Sequence, residues 1–292
     1  MPSPLMQTVR GYIALTKPNI IWLLLVTTLP AMVLAQGGWP STWLVVATLF
    51  GGALAAGSAN AINQYADRDI DQRMARTRRR PLPRGMVSSA GALWFGLALG
   101  VVATVWMVAV VNLLSALLTL GAIGFYVIIY TYILKRRTTQ NIVIGGAAGA
   151  APALIGWTAV TGNMWSLEPI FMFLIVFWWT PPHFWALAIV LEDDYRAAGV
   201  PMLPVVQGKR ATKVQIVFWA IMLTALTVLF AGVSGLGPIY LGTALIGGGL
   251  FIAAAVWLLR QPGKRGAFAV YKFSTYYLAA LFLAVMADTL SR

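Results

Sequence analysis

The 292-residue chain contains no cysteine and a single histidine. Disulfides and thiolate metal centres are therefore excluded, and His183 alone cannot build a multi-histidine metal site. Acidic residues number eight, and charged residues make up 10% of the chain, against about 25% in soluble globular domains. No G-x-x-x-x-G-K-[S/T] loop is present, so a nucleotide is not the expected phosphate ligand. The N-terminus, MPSPLMQTVRGYIALTKPNI, has no short apolar core followed by a small-residue cleavage site, so no removable leader is expected.

What is present is apolar, at 60% hydrophobic residues. A bilayer core takes about 20 residues of helix, and the apolar runs have that length. The expected class is all-α: a polytopic membrane protein with nine transmembrane helices near 18–36, 42–64, 88–110, 113–134, 142–161, 169–190, 214–233, 237–259 and 269–290. The net charge of +13 then reads as orientation rather than affinity for nucleic acid. With nine spans, every one of the 21 basic residues except Arg292 falls on one side, which is therefore the expected cytoplasmic side and holds the N-terminus. The opposite loops, AQGGWPST, TGNMWSLEP and SGLGP, are short turns at the membrane interface. No loop has room for a soluble domain, so residues 1–292 are expected to form one domain.

Six of the eight acids fall in two clusters at the cytoplasmic ends of the second and sixth spans. The first lies in NQYADRDIDQRMARTRRRPLPRG, residues 63–85. Asn63, Asp67 and Asp71 are four apart, which puts three oxygen donors on one helix face. Carboxylates this close repel, and each is costly near hydrocarbon. A hard divalent cation relieves both problems, and Mg2+ binds one or two carboxylates together with substrate phosphates. Asp69 points to another face and is expected to pair with a loop arginine. Arg76, Arg80 and Arg84 flank the stripe, and Lys135, Arg136 and Arg137 end the fourth span. Acids for the metal interleaved with Arg and Lys for phosphate oxygens suit a Mg2+–diphosphate ligand. The plainer alternative is that the acids only balance nearby arginines. The second cluster is Glu192, Asp193 and Asp194.

The stretch 63–85 resembles the Asn-x-x-x-Asp-x-x-x-Asp motif of the membrane aromatic prenyltransferase superfamily, the UbiA type. YTYILKRRTTQNIVIGGAAGAAPALIGW (130–157), FWWTPPHFWALAI (177–189) and EDDYRAAGVPMLPVVQG (192–208) extend the likeness and are most similar to the protohaem IX farnesyltransferases. The resemblance implies nine helices around a central cavity whose polar end faces the cytoplasm. It implies Mg2+ as cofactor, with farnesyl diphosphate and haem B as substrates. Mg2+ would sit on Asn63, Asp67 and Asp71, and Arg76, Arg80, Arg84, Lys135 and Arg136 would hold the diphosphate. The farnesyl group would pass to the 2-vinyl group of the haem, giving haem O for a haem-modifying enzyme or terminal oxidase. The sequence departs from quinone-type relatives in one respect: Leu191 and Tyr195 stand where a second Asp-x-x-x-Asp pair is expected. The second metal-binding acid is then Asp194, with Asp193 as the alternative. Trp178, His183 and Tyr195 are the implied haem contacts. His183 also admits a second reading, as a buried histidine hydrogen-bonded beside Pro181 and Pro182.

Two competing functions are a prenyltransferase acting on 4-hydroxybenzoate or another quinone precursor, and a transporter. The sixth span, with His183 and no Asp-x-x-x-Asp, argues against the first. The second needs polar residues at mid-depth, and the acids lie instead at one side. A bacterial inner membrane is the expected location.

Overall fold

The structure, a computed structural model, describes residues 4–292, with the side chains of all of these except 4, 19, 20 and 22–25. In chain order the helices are α1 (Pro4–Thr16), α2 (Pro18–Gln36), α3 (Thr42–Ala66), α4 (Arg68–Arg73), α5 (Ser89–Val111), α6 (Leu113–Leu134) and α7 (Asn141–Thr161). There follow α8 (Leu167–Val190), α9 (Glu192–Ala197), α10 (Leu203–Val206), α11 (Gly208–Ser234), α12 (Pro238–Arg260) and α13 (Lys264–Leu290). No strand occurs among the described residues. Each expected span falls on a helix: eight are α3, α5 to α8 and α11 to α13, all long and apolar enough to cross a bilayer. The remaining one is α2, of 19 residues. The chain is a multi-span membrane protein.

Two expected boundaries move. Helices α11 and α13 begin at Gly208 and Lys264, several residues before 214 and 269. Hydropathy marks where the bilayer ends, whereas a helix continues for as long as its backbone keeps hydrogen-bonding. Lys209, Arg210 and Lys213 are therefore helical rather than loop residues.

The spans pack in two halves. Helices α3, α5, α6 and α7 follow one another in the first, and α8, α11, α12 and α13 in the second. Helix α2 touches α3 and α7 on one side and α13 on the other, and α7 packs on α8. Lipid supplies no hydrophobic force between helices, so close approach through small residues matters more than oiliness. Gly156 of α7 shows this: a Cβ there would come 2.4 Å from the Thr28 carbonyl oxygen of α2. Val101, Val102, Val105, Leu113, Leu117 and Leu120 of α5 and α6 face outward, as a lipid-bathed surface requires.

The ends are fixed by side chains. Ser88 accepts from the Gly91 N–H at 3.0 Å and starts α5. Asn112 accepts from the Ser115 N–H at 2.8 Å to start α6, while its amide donates to the Thr158 carbonyl of α7 at 2.8 Å. Asp288 accepts from the Tyr240 N–H at 2.7 Å and so caps α12 from α13. The last ten residues of α6, Phe125–Leu134, are π-helical, and so is Met107–Val111 in α5.

Candidate active site

The polar stripe sits where α3 gives way to α4. Helix α3 ends at Ala66 and Asp67 is its C-cap, yet the Asp67 N–H bonds to the Asn63 carbonyl (2.9 Å) and the Asp71 N–H to that of Asp67 (2.8 Å). The four-residue spacing thus carries through the junction, and all three side chains are buried. The Asn63 amide donates to Asp67 Oδ2 at 2.8 Å.

Cations cover the stripe. Lys135, at the end of α6, donates to Asp67 Oδ2. Arg80 Nη1 lies 2.8 Å from both oxygens of Asp71. Lys17 donates to Asn63 Oδ1 at 3.2 Å. One atom is left out: Asp67 Oδ1 is buried with no hydrogen-bond partner, although the Arg136 guanidinium lies 3.9 Å away. An orphaned buried acceptor costs on the order of 1–3 kcal/mol, more when charged. An oxygen-only donor set with one carboxylate oxygen lacking a hydrogen bond suits a hard cation such as Mg2+, so these residues fit the implied metal.

Lys17 was counted in the sequence only for orientation. It is the one non-glycine among the described residues in the left-handed region, at φ 52°. That conformation costs roughly 1–2 kcal/mol. It is held from α3, where Asn60 donates to the Thr16 carbonyl (3.0 Å) and Gln64 to that of Leu15 (2.8 Å). The sharp turn between α1 and α2 aims the ammonium at the stripe. Burial, with the charges of Arg80 and Lys135, pushes Lys17 down to about 7.

Asp69 points away from the stripe, as its position requires, and its partner is Arg136, whose two nitrogens each lie 2.7 Å from one carboxylate oxygen. That hydrogen-bonded pair holds Asp69 at about 2 and raises Arg136. Arg136 therefore joins α6 to the α3–α4 junction as well as lying near Asp67.

The second acidic cluster divides. Asp194 accepts from the backbone N–H groups of Ala75 (3.2 Å) and Arg76 (3.4 Å), which fastens α9 to the arginine loop after α4. Asp193 is exposed and pairs with Lys264 at 2.6 Å. Glu192 binds Arg196 at 2.6 Å and Lys209 at 3.0 Å; burial alone would raise its carboxyl, but these two cations hold it below the usual range. Among the described residues no three His, Cys, Asp or Glu side chains converge, so Asp194 approaches the stripe only through the loop. Arg76 and Arg84 project from that loop, exposed.

His183 is buried in α8 two turns below Leu191. Its Nδ1 is 2.7 Å from Ser274 Oγ of α13, and its ring stacks on Trp179 at 4.0 Å. The Trp179 indole donates to the Ser274 carbonyl at 2.7 Å, so the pair ties α8 to α13. Helix α8 continues through Pro181 and Pro182 to Val190. Trp178 meets Trp219 edge-on, and Tyr195 is buried immediately after the second cluster.

A family model described as the UbiA prenyltransferase family matches residues 24–284. The chain belongs to this family. Its relatives include a protoheme IX farnesyltransferase of Symbiobacterium thermophilum, 51% identical over 285 residues, covering 97% of this chain and 95% of the relative. Another, of Clavibacter michiganensis subsp. michiganensis, is 50% identical over 286 residues, covering 96% and 92%. Among solved structures, a digeranylgeranylglyceryl phosphate synthase superposes with a TM-score of 0.80 at 20% identity, over 98% of this chain and 99% of that one. A UbiA homologue from Archaeoglobus fulgidus bound to GPP and Mg2+ gives 0.64 at 18% identity, over 95% and 99%. These likenesses establish the UbiA fold for this chain.

Proposed function

We propose that this UbiA-family chain acts as one membrane unit that transfers the farnesyl group of farnesyl diphosphate to the 2-vinyl group of haem B, giving haem O and diphosphate. The observation that carries the chemistry is the buried stripe Asn63–Asp67–Asp71, faced by Lys17, Lys135 and Arg80, with one carboxylate oxygen left without a hydrogen bond. The acceptor assignment rests on the near-full-length relatives named protoheme IX farnesyltransferase.

Asn63, Asp67 and Asp71 would hold Mg2+, and Asp194 would join them only by releasing the Ala75 and Arg76 N–H groups that its oxygens now accept from; Asp193, exposed and paired with Lys264, is less suited. When bound, the metal supplies Lewis-acid stabilisation of the departing diphosphate. Lys17, Lys135, Arg80 and Arg136, joined by Arg76 and Arg84 from the loop, neutralise the phosphate oxygens as the C1–O bond breaks and its electron pair leaves with the diphosphate. The terminal vinyl carbon of the haem then bonds to farnesyl C1. The cation left beside the porphyrin takes up water and releases a proton, which gives the hydroxyethylfarnesyl chain. Water must stay out until the carbon–carbon bond forms. Trp178, His183 and Tyr195 are assigned to the porphyrin. The polar end faces the cytoplasm of a bacterial inner membrane, in keeping with the basic loops, and the product passes to a haem-modifying enzyme or oxidase.

The test is mass analysis of haems extracted from cells making the protein, with Asp67→Asn as control, repeated on purified protein with chelator and then added Mg2+. A farnesylated haem that needs both Asp67 and Mg2+ is expected. Unchanged haem B alongside a prenylated 4-hydroxybenzoate would overturn the acceptor assignment and keep the metal site.

A further inference from the structure

Asn63 can serve a cation only through its carbonyl oxygen. The two ends of an amide have nearly the same shape, so something must decide which end faces the site. The decision lies on α6. Thr131 Oγ1 is 2.9 Å from the Tyr126 carbonyl and 3.1 Å from Asn63 Nδ2, and the residue is buried. A carbonyl only accepts, and a hydroxyl has one proton. That proton is committed to Tyr126, so Thr131 offers Asn63 only a lone pair. Asp67 Oδ2, which already receives Lys135, is likewise only an acceptor. Both amide hydrogens of Asn63 are thereby used, and Oδ1 is turned outward, where Lys17 meets it.

We propose that Thr131 is a positioning residue that fixes the Asn63 side chain with its oxygen toward the cation. The inference rests on the Mg2+ reading above.

The local geometry makes Thr131 available for this. A helical threonine usually bonds back three or four residues, to the carbonyl of Ile128 or Val127 here. Thr131 bonds back five, to Tyr126, because Phe125–Leu134 is wound as a π-helix. Over ten residues, that winding turns the end of α6 by about half a turn relative to an α-helix. Thr131 and Lys135 then face α3 together and form two rungs: Thr131 with Asn63 and Lys135 with Asp67. Both helices keep a four-residue interval, so the rungs are in register. The Tyr130 ring packs against Gly145 of α7, where a Cβ would come within 2.4 Å of the ring. That contact braces the widened turn from behind.

The experiment measures Mn2+ binding to the purified full-length protein by electron paramagnetic resonance in the presence of inorganic pyrophosphate, beside the Mg2+ dependence of turnover. Thr131→Val keeps the side-chain volume and removes the hydroxyl; Thr131→Ala also removes the hydroxyl, with the γ-methyl, and serves should valine disturb packing. Loss of such an outer partner weakens metal affinity about 10- to 100-fold. The expected result is weaker Mn2+ binding and a raised Mg2+ requirement, with the rate largely recovered at saturating Mg2+ and both properties restored in Thr131→Ser. Wild-type Mn2+ affinity in the valine or alanine variant overturns the proposal, and so does a serine variant as weak as either. A wild-type protein that binds no Mn2+ with pyrophosphate overturns the metal reading itself, and this inference with it.

Discussion

Asp194 holds the backbone of Ala75, 3.2 Å from its N–H, so an acid of the second cluster grips the first turn of the arginine loop. The contact joins α9 to the loop after α4 and sets where the run from Arg76 to Arg84 begins. Asp194→Ala removes both acceptors. The loop should then open to trypsin several-fold faster, and the KM for farnesyl diphosphate should rise. Unchanged cleavage at Arg76–Arg84 would show that the loop holds its shape without this contact.

Asp67 and Lys135 form a pair that is buried on the acid's side. Breaking such a pair from one side leaves an uncompensated charge and costs about 3–5 kcal/mol. Asp67→Asn should therefore lower thermal stability in detergent as well as abolish haem farnesylation. Adding Lys135→Met should recover most of the stability and none of the activity. A double variant that stays as unstable as the single one would refute the pairing.

Lys17 is assigned to the diphosphate by its aim at Asn63. A hydrogen bond to a charged group contributes about 1.5–3 kcal/mol, so Lys17→Gln should weaken inhibition by pyrophosphate roughly 10- to 100-fold. The substitution removes the ammonium and leaves Asn60 and Gln64 to hold the turn. An unchanged inhibition constant would leave Lys17 as a turn residue.

His183→Ala should shift the absorption spectrum of haem bound to the purified protein, since the His183 ring is assigned to the porphyrin. An identical spectrum would assign His183 to the joint between α8 and α13 formed with Ser274 and Trp179.

Asp288 supplies a control on the opposite side of the membrane. Its carboxylate caps α12 at Tyr240, and a lost cap costs about 0.5–2 kcal/mol. Asp288→Ala should lower the unfolding temperature and leave farnesyl transfer unchanged. Lost activity at full stability would contradict a purely structural role.

The spans and the acidic stripe were legible in the sequence because each depends on local spacing. An apolar run has a length, and Asn63, Asp67 and Asp71 have a period that survives even the break between α3 and α4. The partners of those residues were not legible. Lys135 meets Asp67 because α6 is π-wound, and nothing in FYVIIYTYIL announces a wider turn. Lys17 precedes Pro18, a position that favours extended backbone, yet it is left-handed because Asn60 and Gln64 of α3 hold the carbonyls before it. Arg136 looked like a diphosphate ligand by charge alone, and the fold also gives it to Asp69. Spacing encodes which residues share a face, but it does not encode how far a neighbouring helix has rotated.

The pairing of Lys135 with Asp67 and of Arg80 with Asp71 means that the stripe already carries its own counterions. A bare divalent cation arriving alone must evict an ammonium or guanidinium that then has no anion to receive it. A cation that brings a diphosphate offers the displaced groups a new partner, so the exchange conserves charge pairs at every stage. Such a stripe would favour metal delivered together with its diphosphate over metal that arrives alone.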